Sequence, residues 1–536
     1  MSQPIYDVCI IGSGAAGGMA AKQLCEAGAK VILLEAGRKI TSADLLSHKW
    51  PYELPYRGLH GEKQAPFTTP GFSRDIRYEQ CDPVGIDRVR VLGGRTMHWN
   101  AVVLRYAPGD FRQRSTYGVE EDWPVSYEEL APYYDRVEQL IGVCGQDDHL
   151  DIVPAGKHYL PPLRPRCSEE ILRRTCRPMG IPVIPVRKAV LTRPYDGRPP
   201  CHYCGHCMDG CDVGAIFSTP ASFLPKAAAT GNLTLRTNAV AREILVDREG
   251  RARAVSVIDR ITKREEEIRA RLFVLGCATV ETARLLLNSR SPQHPNGLGN
   301  GNDVIGRYLN GHLTGNVHIY LDELEGRPPV NQDGATDHVY VVRHRTDSVT
   351  GTFGFQVNFD GYMFPHQAFN LRGYGTKYKA EVRRLQGASL LLGGYGKIFA
   401  RPGNRVTVDA RQTDEFGIPL PVVHFRYGSE DLEVYAAIQE TAYAITGAMK
   451  GQVFPAFGKL PWAFASHDVG TVRMGNDPRT SALNGWGQMR EAGNVFVVDG
   501  SAFPTSSEKN PTLTIMALTM RACEHIVQQR RRGELA

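Results

Sequence analysis

The stretch that most restricts what this 536-residue chain can become stands at its start. YDVCIIG, from Tyr6, is a short apolar run that reads as a strand. GSGAAGG follows, and AAKQLCEAG then carries helical spacing. Gly28 closes that helix, and KVILLEAG reads as the next strand. Within this βαβ unit Gly12, Gly14 and Gly17 spell G-x-G-x-x-G, with Ala15 and Ala16 between the last two. Such glycines give a tight turn, close approach of backbone to a pyrophosphate, and close packing of helix on strand. The helix start supplies N–H donors for the phosphates. Glu35, followed by Ala36, ends the second strand 23 residues after Gly12. A carboxylate there accepts ribose hydroxyls and repels a 2′-phosphate, which disfavours NADP. The competing reading is a tight strand–helix turn with an unrelated surface Glu35.

The rest of the chain is long enough for two or more domains. Its 42% hydrophobic and 22% charged content is ordinary, and its net charge of +6 is mild. No basic stripe suited to nucleic acid is present; Arg530–Arg532 reads as a solvated helix end. No run approaches the roughly 20 apolar residues that span a bilayer, and the first residues do not resemble a secretory signal. A cytoplasmic protein is therefore the expectation, with scattered cysteines read as buried thiols. Helical spacing recurs over 127–142. Strands are expected in LTLRTNAVAREILVD and RARAVSVIDR, and RLFVLGCATVETARLLLNS reads as strand, turn and helix. Residues 316–425 alternate in the manner of an antiparallel sheet.

Toward the C-terminus stand FASHDVGTVRMG (Phe464–Gly475) and NVFVVDGSAFPTSSEKNPTLTIMALTMRA (Asn494–Ala522). Upstream are LGGRTMHWNAVVLR (Leu92–Arg105), VLGCATVETARLLLNS (Val274–Ser289) and GRYLNGH (Gly306–His312). In this order the motifs resemble those of the glucose–methanol–choline oxidoreductases. The resemblance implies an α/β fold: a discontinuous Rossmann-like FAD-binding domain (1–46, 80–110, 221–315 and 462–536). Beside it would stand an antiparallel-sheet α+β substrate domain (47–79, 111–195 and 316–461). It implies an FAD enzyme that oxidises an alcohol, with His467 as catalytic base and Asn510 as the second polar group. Asn at that second position is similar to the pyranose oxidase and bacterial sugar dehydrogenase branch. Gly93, Gly94, Thr96, His98, Trp99, Asn100 and Ala101 would form the flavin loop, with Val240 also at the cofactor. Asp499 and Gly500 would lie against the ribitol. Pro511 and Thr512, opening the last helix, would aim N–H groups at the N1/O2 edge, where reduced flavin gathers negative charge. TMHW (Thr96–Trp99), which carries His98, also resembles a segment that carries covalent FAD in some pyranose oxidases; non-covalent FAD is expected here. Taken singly, His467 could be a core-satisfied histidine and Asn510 a helix cap.

One segment points elsewhere. Cys201, Cys204, Cys207 and Cys211 are spaced C-x2-C-x2-C-x3-C, the ferredoxin run, so 196–220 is expected to be a Cys-rich iron–sulfur insertion. Zinc and disulfides are the alternatives, and a [3Fe–4S] or a [4Fe–4S] centre is compatible with the count. Electrons would then pass from flavin through the cluster to a cytochrome or quinone. The expected activity is that of a sugar or glycoside dehydrogenase of the glucoside 3-dehydrogenase or glucose/gluconate dehydrogenase type, acting on a secondary or anomeric hydroxyl. An oxygen-reducing pyranose or glycoside oxidase is the alternative, and an electron-transfer subunit without its own alcohol chemistry a more distant one. Gln356, Asn358 and His366 are candidate sugar contacts, and solvent-facing strand or loop residues are the competing reading. The resemblance also admits a small partner subunit carrying an export signal, which would make the enzyme periplasmic.

Overall fold

The computed structural model describes residues 5–45, 72–73, 75–205, 207, 210–327, 337–343, 351–358, 371–455, 457–464 and 466–535. Strand β1 (Tyr6–Ile11), helix α1 (Ala15–Glu26) and strand β2 (Val31–Leu34) form the opening βαβ unit. The two strands pair in parallel, Val8 opposite Val31 through Ile11 opposite Leu34. Both faces of β1 are covered from Val8 onward, which is why Val8–Ile11 is apolar. Val8 and Ile10 pack with Ala16, Ala20 and Leu24 of α1, while Cys9 and Ile11 join the larger core on the opposite side.

Strand β3 (Glu265–Leu275) leads into helix α2 (Thr279–Asn288). Its second half, Ala270–Leu275, pairs in parallel with β1, and Val495–Val497 lies parallel on its other side. Its first half pairs antiparallel with Ala252–Asp259, which in turn pairs with Ala239–Val246. Leu233–Arg236 closes the far edge beside β2. The strands expected in this region, the strand–turn–helix and the helix Tyr127–Ile141 are all present. That helix starts at a reciprocal cap: Ser126 Oγ accepts from Glu129 N (3.2 Å) and Glu129 Oε2 from Ser126 N (2.8 Å).

The second large sheet is built on β4 (His312–Leu321), β5 (Phe353–Asn358) and β6 (Ser389–Lys397). Among the described residues its order is Gly451–Pro455, β4, β6, β5, Val339–Val341, Val183–Pro185, antiparallel throughout. Directly opposed residues share a face. His312 faces Lys397, Thr314 faces Tyr395 and Gln356 faces Gly393, so one face is polar. The other carries Leu313, Phe355 and Leu392 and is roofed by helix α3 (Ser429–Ala448). The fit is close: a Cβ at Gly394 would stand 2.3 Å from Ile438 Cγ2, and one at Gly396 2.5 Å from Val434 Cγ1. The chain ends in helix α4 (Thr512–Arg531), whose Ala522, Cys523 and Ile526 pack with α1.

The α/β plan with an antiparallel second sheet therefore holds, but its iron–sulfur insertion does not. Among the described residues no group of three or more His, Cys, Asp or Glu side chains is placed to hold a metal ion. Cys201, Cys204, Cys207 and Cys211 border one crevice, yet its free volume is about 10 Å³, the space of a single water at most. All four are free thiols, so the disulfide alternative fails as well. Burial pushes the Cys201 thiol up to about 12, with its three neighbours adding to the shift. Cys207 is buried in the core, and Cys201 and Cys211 pack against it. These side chains fill space as small apolar groups. Among the described residues no helix is long and apolar enough to cross a membrane. Most of the segment 47–79 lies outside the described residues.

Candidate active site

A cleft of about 480 Å³ runs from the glycine turn to the polar face of the antiparallel sheet. Gly12 has φ +94°, and a Cβ there would stand 2.3 Å from the Gly276 carbonyl oxygen. A Cβ on Gly17 would stand 1.8 Å from the Gly12 oxygen. Gly17 is thus a packing residue behind the wall, as is Gly93, whose N–H donates to Ser13 Oγ (2.9 Å). Gly14 differs: a Cβ there would meet no protein atom within 4 Å, because it faces the open cleft with Ala15 and Ala16.

Helix α1 starts behind Gly14 with no side-chain cap and no acid in its first turn; α4 starts at Pro511 and Thr512 in the same way. Both starts line the cleft, and their N–H groups suit an anionic or electron-rich ligand. Glu35 and Ala36 border it too. Glu35 accepts from Ser13 N (3.2 Å), Ser13 Oγ (2.5 Å) and Gly37 N (2.8 Å), while burial raises its pKa. Asp499 is fully engaged: Oδ2 accepts from Ala278 N (3.0 Å) and Thr282 Oγ1 (2.6 Å), and Oδ1 from Ser501 N (2.9 Å) and Oγ (2.5 Å). It therefore anchors the turn into α2, with Gly500 beside it on the cleft wall.

Gly94, Thr96, His98, Trp99, Asn100 and Ala101 all line the cleft, as does Val240. Thr96 Oγ1 donates to the Gly93 carbonyl (2.6 Å), and Trp99 Nε1 to that of Phe217 (2.9 Å), which fixes the loop. Sequence reasoning missed Ser13, Arg88, Arg90 and Arg284, which also line it. Arg88 pairs with Glu281 through Nη1, but its Nε and Nη2 are buried without partners. Burial, helped by Arg90 and Arg284, lowers it to about 9. These unsatisfied donors, the glycine turn and the two uncapped helix starts fit FAD.

At the other end His467 and Asn510, 43 residues apart, meet: Asn510 Nδ2 lies 3.0 Å from His467 Nε2. His467 Nδ1 lies 3.0 Å from His312 Nδ1. Asn510 Oδ1 accepts from Gln356 Nε2 (2.8 Å), so Gln356 orients Asn510 rather than standing free for a sugar. Asn510 is no simple cap, because α4 has no side-chain cap bond. The Asn358 side chain and His366 lie outside the described residues. Phe464, Ser466 and Thr471 all take positive φ around His467, the kind of backbone strain that accumulates at functional sites. The loop is stapled down: Phe464 N donates to the His312 carbonyl (2.6 Å) and Val469 N to that of Asn310 (2.9 Å). Arg95 joins it to the flavin loop through Ser466 O and Asp468 Oδ1, both 2.8 Å.

Burial, then neighbouring His312 and Arg95, hold the His467 pKa well below the usual 6.5. His467 is thus neutral at pH 7, with a lone pair available for a hydroxyl proton. If that neutral form is the working one, kcat/KM stays level down from pH 7 and declines only below pH 6.5. A pH–rate profile with its acid limb at or above 6.5 contradicts it.

A family model described as "GMC oxidoreductase" matches residues 83–314, a second of that description matches 400–519, and an "FAD binding domain" model matches 5–43. The chain is 30% identical to 2-methyl-1,2-propanediol dehydrogenase of Mycolicibacterium austroafricanum, over 97% of this chain and 95% of that one. The chain belongs to the GMC oxidoreductases. Like them it is an FAD-dependent oxidoreductase acting on CH–OH donors. It is also 30% identical to 6'''-hydroxyparomomycin C oxidase of Streptomyces lividus, over 97% and 91% of the two chains. With the fructose dehydrogenase large subunit of Gluconobacter japonicus it shares 27%, over 98% of each. The crystal structure of pyridoxine 4-oxidase from Mesorbium loti superposes with a TM-score of 0.67 at 18% identity, covering 97% and 99% of the chains, a likeness of fold. These similarities span several branches of the GMC oxidoreductases and single out none. With no metal-holding group among the described residues, the flavin-to-cluster relay expected from the cysteine run has no support in this GMC oxidoreductase.

Proposed function

We propose that this GMC oxidoreductase oxidises a hydroxyl of a small sugar- or glycoside-like molecule, with dioxygen as electron acceptor. The observation that carries the reading is the 3.0 Å approach of Asn510 Nδ2 to His467 Nε2 on the cleft wall. His467 Nε2 takes the hydroxyl proton, and Asn510 holds the same oxygen in line without changing charge. Gln356 keeps the Asn510 carboxamide from turning over. FAD, when bound, supplies the acceptor for the carbinol hydride. The glycine turn with Gly12, Gly14, Ala15 and Ala16 and the uncapped start of α1 would hold its pyrophosphate, and Glu35 a ribose. The flavin loop with His98 and Trp99, and the starts of α4 at Pro511 and Thr512, would hold its flavin half.

The substrate class is supported by relatives named for fructose and 6'''-hydroxyparomomycin C, while a third is named for the small diol 2-methyl-1,2-propanediol. The His467–Asn510 pair supports the branch of the resemblance that joins pyranose oxidases and bacterial sugar dehydrogenases, and it does not choose between acceptors. A cytochrome or quinone acceptor was expected only on account of the cluster; dioxygen needs no carrier beyond this chain. A panel of sugars, glycosides, amino sugars and polyols, assayed in air, should yield one hydrogen peroxide per alcohol oxidised. Turnover with a dye but no peroxide in air contradicts the acceptor, and no turnover of any alcohol contradicts the substrate class. FAD is expected to be non-covalent: acid precipitation should leave the yellow colour in the supernatant, and colour in the pellet means a bond at His98.

A further inference from the structure

The polar groups around His467 form a continuous hydrogen-bonded line with a direction. At one end the Lys509 carbonyl lies 3.2 Å from His312 Nε2. A carbonyl only accepts, so His312 carries its proton on Nε2 and leaves Nδ1 as an acceptor. The 3.0 Å contact between the two Nδ1 atoms then requires the His467 proton to sit on Nδ1. That leaves His467 Nε2 as a lone pair, which Asn510 Nδ2 faces. At the far end Gln356 Nε2 donates to Asn510 Oδ1, the orientation the line needs. Reversing it would set a lone pair of His312 against the Lys509 oxygen and turn both carboxamides over.

The start of the line is held rigidly. Lys509 is buried, with Nζ paired to Glu508 and 3.4 Å from Asp110. Glu508 in turn accepts from Thr352 Oγ1 (2.6 Å) and Ser507 Oγ (2.9 Å). His312 is fully buried and stands edge-on to the His467 ring, with centroids 4.7 Å apart. Gly311, one residue before it, lets the strand pass so close to the His467 loop that a Cβ would meet the His467 carbonyl oxygen at 2.4 Å. Burial lowers His312 to about 4, which keeps it neutral near pH 7.

We propose that His312 is a positioning residue for alcohol oxidation: by accepting from His467 Nδ1 it fixes the tautomer in which His467 Nε2 faces the substrate as a proton acceptor. When Nε2 takes the hydroxyl proton, the Nδ1–H bond to His312 remains and steadies the imidazolium. The inference rests on the reading of His467 as the base.

Histidine 15N spectra of the FAD-loaded enzyme test it without turnover, with the His467 signals identified by their loss in His467→Asn. In the wild-type enzyme the His467 proton should be on Nδ1; a proton on Nε2 overturns the proposal. Two variants add kinetics. His312→Leu removes the acceptor and should lower kcat about 100-fold, with KM changed by less than about twofold. His312→Asn, whose amide can accept from His467 and donate to Lys509 O, should recover most of that loss. Wild-type kcat in His312→Leu, or equal losses in both variants, overturns it, and the wild-type spectrum decides the matter should either variant fail to fold. If His467→Asn itself turns over normally, the base assignment has failed rather than the tautomer.

Discussion

His467→Ala is expected to lower kcat by about 10³-fold, in the range that a positioned general base contributes, while FAD stays bound. The two outcomes separate because of where His467 sits. Its side chain bonds His312 and Asn510, whereas Glu35 bonds Ser13 and Gly37 at the glycine turn. Removing the imidazole leaves the hydroxyl without a proton acceptor, and Asn510 cannot replace it because a carboxamide does not accept a proton near neutral pH. The flavin absorbance of the variant should match the wild type per mole of protein, and KM should move less than kcat. A variant that keeps more than about a tenth of wild-type kcat would remove His467 from the chemistry.

The glycine turn makes the second large prediction, and a pair of variants sharpens it. In Gly17→Val the new Cβ would meet the Gly12 backbone oxygen at 1.8 Å, and backbone cannot step aside. The turn must open or the helix must shift, so this variant should purify colourless and melt well below the wild type. Gly14→Val differs. Its Cβ meets no protein atom within 4 Å, so the protein without FAD should melt close to the wild-type apoprotein. The side chain nevertheless intrudes on the space left for the pyrophosphate. FAD should therefore bind at least about tenfold more weakly, measured by flavin fluorescence on titration. A Gly14→Val protein that binds FAD as tightly as the wild type would place the cofactor elsewhere.

Where the signal was local in sequence, it was legible. The opening βαβ unit announces itself because a parallel strand buried on both faces has to be apolar, and because the helix must pass within contact of Gly12. The pairing of His467 with Asn510 was legible only through the resemblance of two motifs, since nothing in spacing alone brings residues 43 apart together. His312 stood in a recognised motif, yet its task depends on the register that sets β4 beside β6 and on the loop stapled above it. For Gln356 the sequence leaves both a sugar contact and a solvent-facing residue open, because a residue's place in a strand does not tell which neighbour it meets. Arg88 and Arg284 escaped because lone arginines in a chain with 63 basic residues carry no pattern. The cysteine run misled in the opposite direction: its spacing matches a ferredoxin, but spacing says nothing of burial. In the fold those thiols close on a crevice of about 10 Å³.

The most direct test is a crystal structure of the FAD-loaded enzyme with a slow alcohol substrate bound in the absence of oxygen. The hydroxyl oxygen should lie within about 3 Å of both His467 Nε2 and Asn510 Nδ2, the reach of a working base. A hydroxyl held by other side chains, with His467 and Asn510 still bonded only to each other, would contradict the account.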